Sequence, residues 1–183
     1  MSVVAGAIDA RHTSPAENAL RVGVVGGLVA SSMLFASLAS AYLVRRSFAD
    51  WRAAPALWPF AVLFFAALAS AAIEHAARGE ARGERRGWLV LGGSSVAYLA
   101  IALSVLLSIV ASDAGLDSPH RAFIVVLLGL HVVHAVIGGA FSLWALRGRA
   151  GISFLVAVSL CRMVTHFLTL LLVAIVTLLF FFQ

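Results

Sequence analysis

Hydrophobic and polar positions along this chain are segregated into long blocks. Five apolar runs are set off by charged or turn residues: Val22 to Val44, Ala53 to Ile73, Gly87 to Ser112, Ala122 to Leu146, and about Gly151 to Gln183, the last interrupted only by Arg162. The fourth run holds 25 uncharged residues between Arg121 and Arg147. At about 1.5 Å per residue it reaches roughly 37 Å, against a hydrocarbon core of roughly 30 Å. No run alternates apolar and polar residues with period two, which argues against a barrel. The pattern predicts an all-α polytopic membrane protein with a bundle of five transmembrane helices. They are expected over about 20–44, 55–77, 87–112, 121–146 and 152–182, in one domain (20–183) after a polar N-terminal tail (1–19). Pro55 and Pro59 fall where the second helix begins, where a missing N–H does little harm.

Composition sharpens this picture. The chain is 62% hydrophobic and 11% charged, with mean hydropathy +1.04, a balance foreign to a soluble domain. All 13 basic residues are arginine, scattered between apolar runs and not gathered on one face, so a nucleic-acid patch is excluded. Arg11, Arg21, Arg78, Arg82, Arg85, Arg86, Arg147 and Arg149 fall on one side of a five-helix arrangement; Arg45, Arg46, Arg52 and Arg121 fall on the other. The positive-inside rule then puts the N-terminus in the cytoplasm and the C-terminus outside. The single Cys161 excludes an intrachain disulfide. Residues 1–18 lack a basic start and a short apolar core, so no cleavable signal peptide is expected.

Small residues suggest where helices approach closely. Gly23 and Gly27 are spaced four apart in the first helix, and Gly138, Gly139 and Ser142 cluster in the fourth. Polar residues within the apolar runs are few. His131 and His134 lie three apart on one face of the fourth helix, His166 lies in the fifth with Arg162 a turn before it, and Glu74 and His75 end the second. The depths of the three imidazoles agree to within about a turn or two, so they could meet near mid-membrane. A metal site, hydrogen-bonded helix glue and a polar cavity are the three readings of such a group. There is no HExxH and no carboxylate at that depth to orient a ligating ring, so no metal ligands are assigned. Arg162 has two candidate partners, Glu74 on the same side of the membrane and a lipid phosphate. No Ser-His-Asp set, paired carboxylates or phosphate-binding loop is present, and no catalytic residue is assigned.

Three motifs carry a resemblance to a known family. Gly129-Leu130-His131-Val132-Val133-His134 with Gly138 resembles the pattern G-x-H-x-x-H-x-x-x-G of subunit III of the haem-copper respiratory oxidases, in its short five-helix bacterial form. Met33-Leu34-Phe35-Ala36, then Ala41-Tyr42-Leu43-Val44 and Arg46, is similar to that family's first-helix pattern, and His166-Phe167 matches its last-helix histidine-phenylalanine. Helix order, length and orientation agree from Leu20 onward. The chain also departs from the family. Ser31 stands at the first-helix glutamate position, and Val164, Thr165 and Thr169 replace the last-helix tyrosine, tryptophan and aspartate. The acidic residues of the third helix are missing as well, so the family's carboxylate-dependent features do not carry over.

The resemblance implies a non-catalytic subunit of a cytochrome c oxidase in the bacterial cytoplasmic membrane. Such a subunit binds no cofactor directly, since the haems and copper lie in partner subunits. It packs on subunit I in a complex with subunits I and II, holds phospholipid, and supports proton uptake and durability of the active site while oxygen is reduced to water. Its structural, lipid or interface residues would be His131, His134, Gly138, His166, Arg162, Glu74, Ser31, Gly23 and Gly27, with the Gly23/Gly27 and His131/His134 faces covered by protein. Subunit III of a quinol oxidase and a nitric-oxide-reductase accessory subunit are alternatives within that class. A stand-alone five-helix transporter or channel is the alternative outside it.

Overall fold

A computed structural model of the chain describes residues 14–48, 51, 58–80, 99–100, 103, 107, 119–146 and 153–181. Four helices stand out among them: α1 (Pro15–Arg46), α2 (Trp58–Glu80), α3 (Pro119–Leu146) and α4 (Phe154–Phe181). All four are long and apolar enough to cross a membrane. The chain is an all-helical membrane protein. Of the predicted helix over 87–112, only residues 99–100, 103 and 107 fall among the described residues, and all four are helical.

α1 begins at Pro15, inside the stretch expected to be tail, because its first turn carries a complete capping box. The Ser14 hydroxyl accepts from the Glu17 amide at 3.2 Å, and the Glu17 carboxylate accepts from the Ser14 amide at 3.0 Å. Pro15 supplies the preset φ of a first helical residue. The other oxygen of Glu17 accepts the backbone N–H of Ser153, the residue before α4, at 2.8 Å. One nearly buried carboxylate therefore sits between the positive N-terminal ends of two helices. This contact places the starts of α1 and α4 side by side, and the two helices run parallel.

The opposite end of the bundle is closed by rings. Tyr42 meets Trp51 edge-on at 5.1 Å and Phe123 at 5.5 Å. His120, fully buried at the start of α3, packs its ring on Trp51 and sets Nε2 3.4 Å from the Leu179 carbonyl near the end of α4. α3 thus starts where α1 and α4 end, and is antiparallel to both. α2 is also antiparallel to α4, since Glu74, late in α2, meets Arg162, early in α4.

Two apolar clusters fill the interior. Phe35, Tyr42, Ile124, Leu127, Ile175 and Leu179 join α1 to α3 and α4. Val62, Ala66, Leu128, Val132, Ala135, Leu172 and Val176 join α2 to the same two helices, and Leu99 packs against this second cluster. α3 and α4 form the central pair. Side chains of α4 press on Gly138, where an added Cβ would lie 2.9 Å from Val164 Cγ1 and 3.1 Å from Leu168 Cδ1. Gly23 and Gly27 behave differently. Nothing among the described residues lies within 4 Å of where their Cβ atoms would be, and the same is true of Gly139. Among the described residues, no neighbour packs on the first-helix glycines, whose spacing suggested a packing surface. α1 instead packs along Leu20, Val24, Leu28, Ser31, Phe35, Leu38 and Tyr42, a stripe that lies on another side of the helix.

Candidate functional site

The main polar cluster lies between α2 and α4. Ser70 and Glu74 are four apart on α2, while Arg162, His166 and Thr169 follow one another at spacings of four and three on α4. These spacings put each set on one helix face. The helices are antiparallel, so the sets align as Glu74 against Arg162 and His166, and Ser70 against His166 and Thr169. Arg162 donates through Nε to Glu74 Oε1 at 2.7 Å and through Nη2 to Oε2 at 2.8 Å, a bidentate pair. His166 Nε2 lies 2.8 Å from Glu74 Oε1, and its Nδ1 lies 2.9 Å from Ser70 Oγ. A carboxylate only accepts, so Nε2 carries a proton. With the ring neutral, Nδ1 accepts from the Ser70 hydroxyl. Ser70 is also 3.1 Å from the Thr169 hydroxyl, which has the Ala66 and Thr165 carbonyls within reach at 3.3 and 3.1 Å.

This network satisfies most polar groups inside an apolar span, which is the condition for leaving them there. It is nevertheless not enclosed. The side chains of Arg162, His166 and Glu74 keep 45%, 40% and 24% of their surface open in the isolated chain. The Glu74–Arg162 pairing, one of two partners open to Arg162 on sequence, is thus present in the structure. His166 lies near the middle of α4, and Glu74 reaches it from α2, so the expectation that no carboxylate stands at the depth of the histidines does not hold.

The three histidines do not converge. His134 donates through Nδ1 to the Leu130 carbonyl at 2.8 Å and meets the Phe35 ring edge-on at 5.4 Å. His131 is fully buried within α3, while His166 belongs to the α2–α4 network. Among the described residues no three His, Cys, Asp or Glu side chains are grouped so that they could hold a metal. Equal depth did not bring the three imidazoles into one group: His134 bonds back along its own helix, and His166 reaches across to α2.

Ser31, at the position of the family's first-helix glutamate, lies on the packed side of α1 and donates to the Gly27 carbonyl at 2.9 Å. Ser32, Ser37 and Ser40 donate likewise to the carbonyls four residues back, at 2.9 to 3.0 Å. Their hydroxyls are satisfied within the helix and need no outside partner. Ser142 does the same toward Gly138 at 2.8 Å.

Glu17, Ser70 and His120 were not identified as site residues from sequence. The Ser14-x-x-Glu17 spacing signals the cap of α1, although not the second helix that Glu17 reaches. Ser70 had no signal of its own. The partner that gives it meaning, His166, is remote in sequence. The chain matches no protein-family model, and no curated protein or solved structure is similar to it at a significant level.

Proposed function

We propose that the chain is a non-catalytic subunit III of a haem-copper respiratory oxidase, a cytochrome c oxidase, seated in the bacterial cytoplasmic membrane with subunits I and II. The observation that carries this reading is the Gly129-x-His131-x-x-His134-x-x-x-Gly138 motif, taken with the first-helix and last-helix motifs in matching order. The reading is supported by the packing of three positions of the third-helix motif. Gly138 permits the close approach of α3 and α4, His131 is buried, and His134 is tied to its own helix. That is the character expected of a supporting subunit whose redox centres reside in its partners.

In this reading the chain has five transmembrane helices, with the N-terminus cytoplasmic and the C-terminus periplasmic. The directions of the described helices support it. α2 ends beside the start of α4, while α3 starts beside the end of α4. An odd number of crossings between α2 and α3 joins those two points, and the apolar run 87–112 is long enough for one. Arginine counts favour the stated orientation.

Removing the chain should leave a complex of subunits I and II that reduces oxygen at first and then loses activity during sustained turnover, because the proposed duty is durability. The test is continuous oxygen uptake by membranes with and without the chain. Parallel decay in the two preparations would contradict the reading. A stand-alone transporter is the competing class. Such proteins are often built around helices broken at mid-membrane, whereas all four described helices are continuous.

A further inference from the structure

His166 joins α4 to α2 through both ring nitrogens, and the two partners differ in kind. Nε2 meets a Glu74 carboxylate oxygen at 2.8 Å, while Nδ1 meets the Ser70 hydroxyl at 2.9 Å. The second partner decides what the ring can do. A backbone carbonyl at Nδ1 would only accept, and would require protons on both nitrogens. A backbone N–H there would only donate, and would keep Nδ1 bare. A hydroxyl does both, so it serves Nδ1 with or without a proton. The row continues in the same manner. Ser70 Oγ lies 3.1 Å from Thr169 Oγ1, which has the Ala66 and Thr165 carbonyls at 3.3 and 3.1 Å. With the ring neutral, Ser70 donates to Nδ1. With Nδ1 protonated, Nδ1 donates to Ser70, Ser70 turns its proton to Thr169, and Thr169 donates to a carbonyl. Each of these groups keeps a partner in both states.

We propose that His166 is a reversible proton-binding site, whose Nδ1 takes up one proton while Ser70 and Thr169 reorient their hydroxyls and Glu74 serves as counter-ion. The proton comes from hydronium in the medium: an N–H bond forms at Nδ1, an O–H bond breaks, and water is left. Few charges act on the ring. On α2 these are Glu74, with His75 next to it and Arg78 a turn beyond; on α4 there is Arg162. α3 carries no charged residue over 122–146, and its His131 and His134 are not partners of His166. α1 has none between Arg21 and Arg45, nor has the run 87–112. Glu74 and Arg162 cancel, so uptake takes the cluster from net zero to +1. That charge is costly within an apolar span. Two features offset the cost: a charge-assisted bond to Glu74 Oε1, and a His166 side chain that keeps 40% of its surface open.

The test is solid-state NMR of the full-length chain in lipid bilayers, with isotope-labelled histidine nitrogens and His166→Gln to identify the ring. At about pH 8 the signal should be that of the neutral Nε2–H tautomer, and at about pH 5 both nitrogens should carry protons, reversibly. Ser70→Ala removes a charge-assisted bond from the protonated ring but only an ordinary one from the neutral ring. The ratio of protonated to neutral His166 at a given pH should therefore fall about fivefold. Thr169→Val, which takes away the acceptor for the turned Ser70 hydroxyl, should lower it as well. Neither variant touches the Glu74–Arg162 pair, so both leave the ionic contact between the helices in place. An Nδ1–H tautomer in the neutral ring, a single protonation state across this range, or wild-type occupancy in Ser70→Ala would overturn the proposal. The site lies wholly within this chain, so its failure leaves the oxidase reading untouched, and absence of haem partners leaves the site untouched.

Discussion

At the scale of single residues, two pairs of positions that look alike in sequence separate in the structure. Gly138 and Gly27 are both small residues in apolar helices, but among the described residues only Gly138 of the two has neighbours where its Cβ would be. Gly138→Ala should therefore cost about 1–3 kcal/mol of overpacking, relieved in part by rotation of Leu168. Gly27→Leu should leave the melting of the isolated chain nearly unchanged. Thermal unfolding in detergent checks both, and an equal loss in the two variants would contradict the packing described. The charged residues give a second contrast. Glu74→Gln or Arg162→Leu alone strands one partner in an apolar span, at about 2–3 kcal/mol. The double change should recover most of that loss. Additive losses in the double variant would mean that the two side chains act independently.

At the scale of elements, the ends of helices prove as informative as their apolar stripes. Glu17 caps α1 and also holds the start of α4, so Glu17→Ala should loosen both beginnings together. Hydrogen exchange is the measurement. Faster exchange at the amides of Ser14 and Ser153 is expected, with the α3–α4 pair around Gly138 unaffected; unchanged protection at Ser153 would show that the carboxylate does not bridge the helices. The sequence located the apolar part of α1 well but started it late, because the capped first turn is polar and falls outside the hydrophobic block. The rotation of α1 about its axis was not legible. Spacing of four between glycines marks a smooth face without saying what lies opposite, and the packed stripe runs instead through Leu28, Phe35 and Tyr42. In the same way, counting residues gave the depths of the histidines but not their directions, which depend on neighbours far away in sequence.

At the scale of the whole molecule, the directions of the helices constrain the topology. α1 and α4 run one way and α2 and α3 the other, and the proposed five-helix topology places one further crossing between α2 and α3. A reporter enzyme active only outside the cytoplasm should be active when fused after Gln183 and inactive when fused within Arg82–Arg86. The opposite pattern would invert the proposed orientation. The larger claim is that this bundle supports redox chemistry carried by other subunits. Its described polar residues stabilise contacts between helices. The most direct test is to purify the full-length chain from its native membrane in mild detergent and record a reduced-minus-oxidised spectrum of the same particle. The account predicts haem absorbance in fixed proportion to the chain through every purification step. A stable particle containing this chain alone, with no haem, would contradict it.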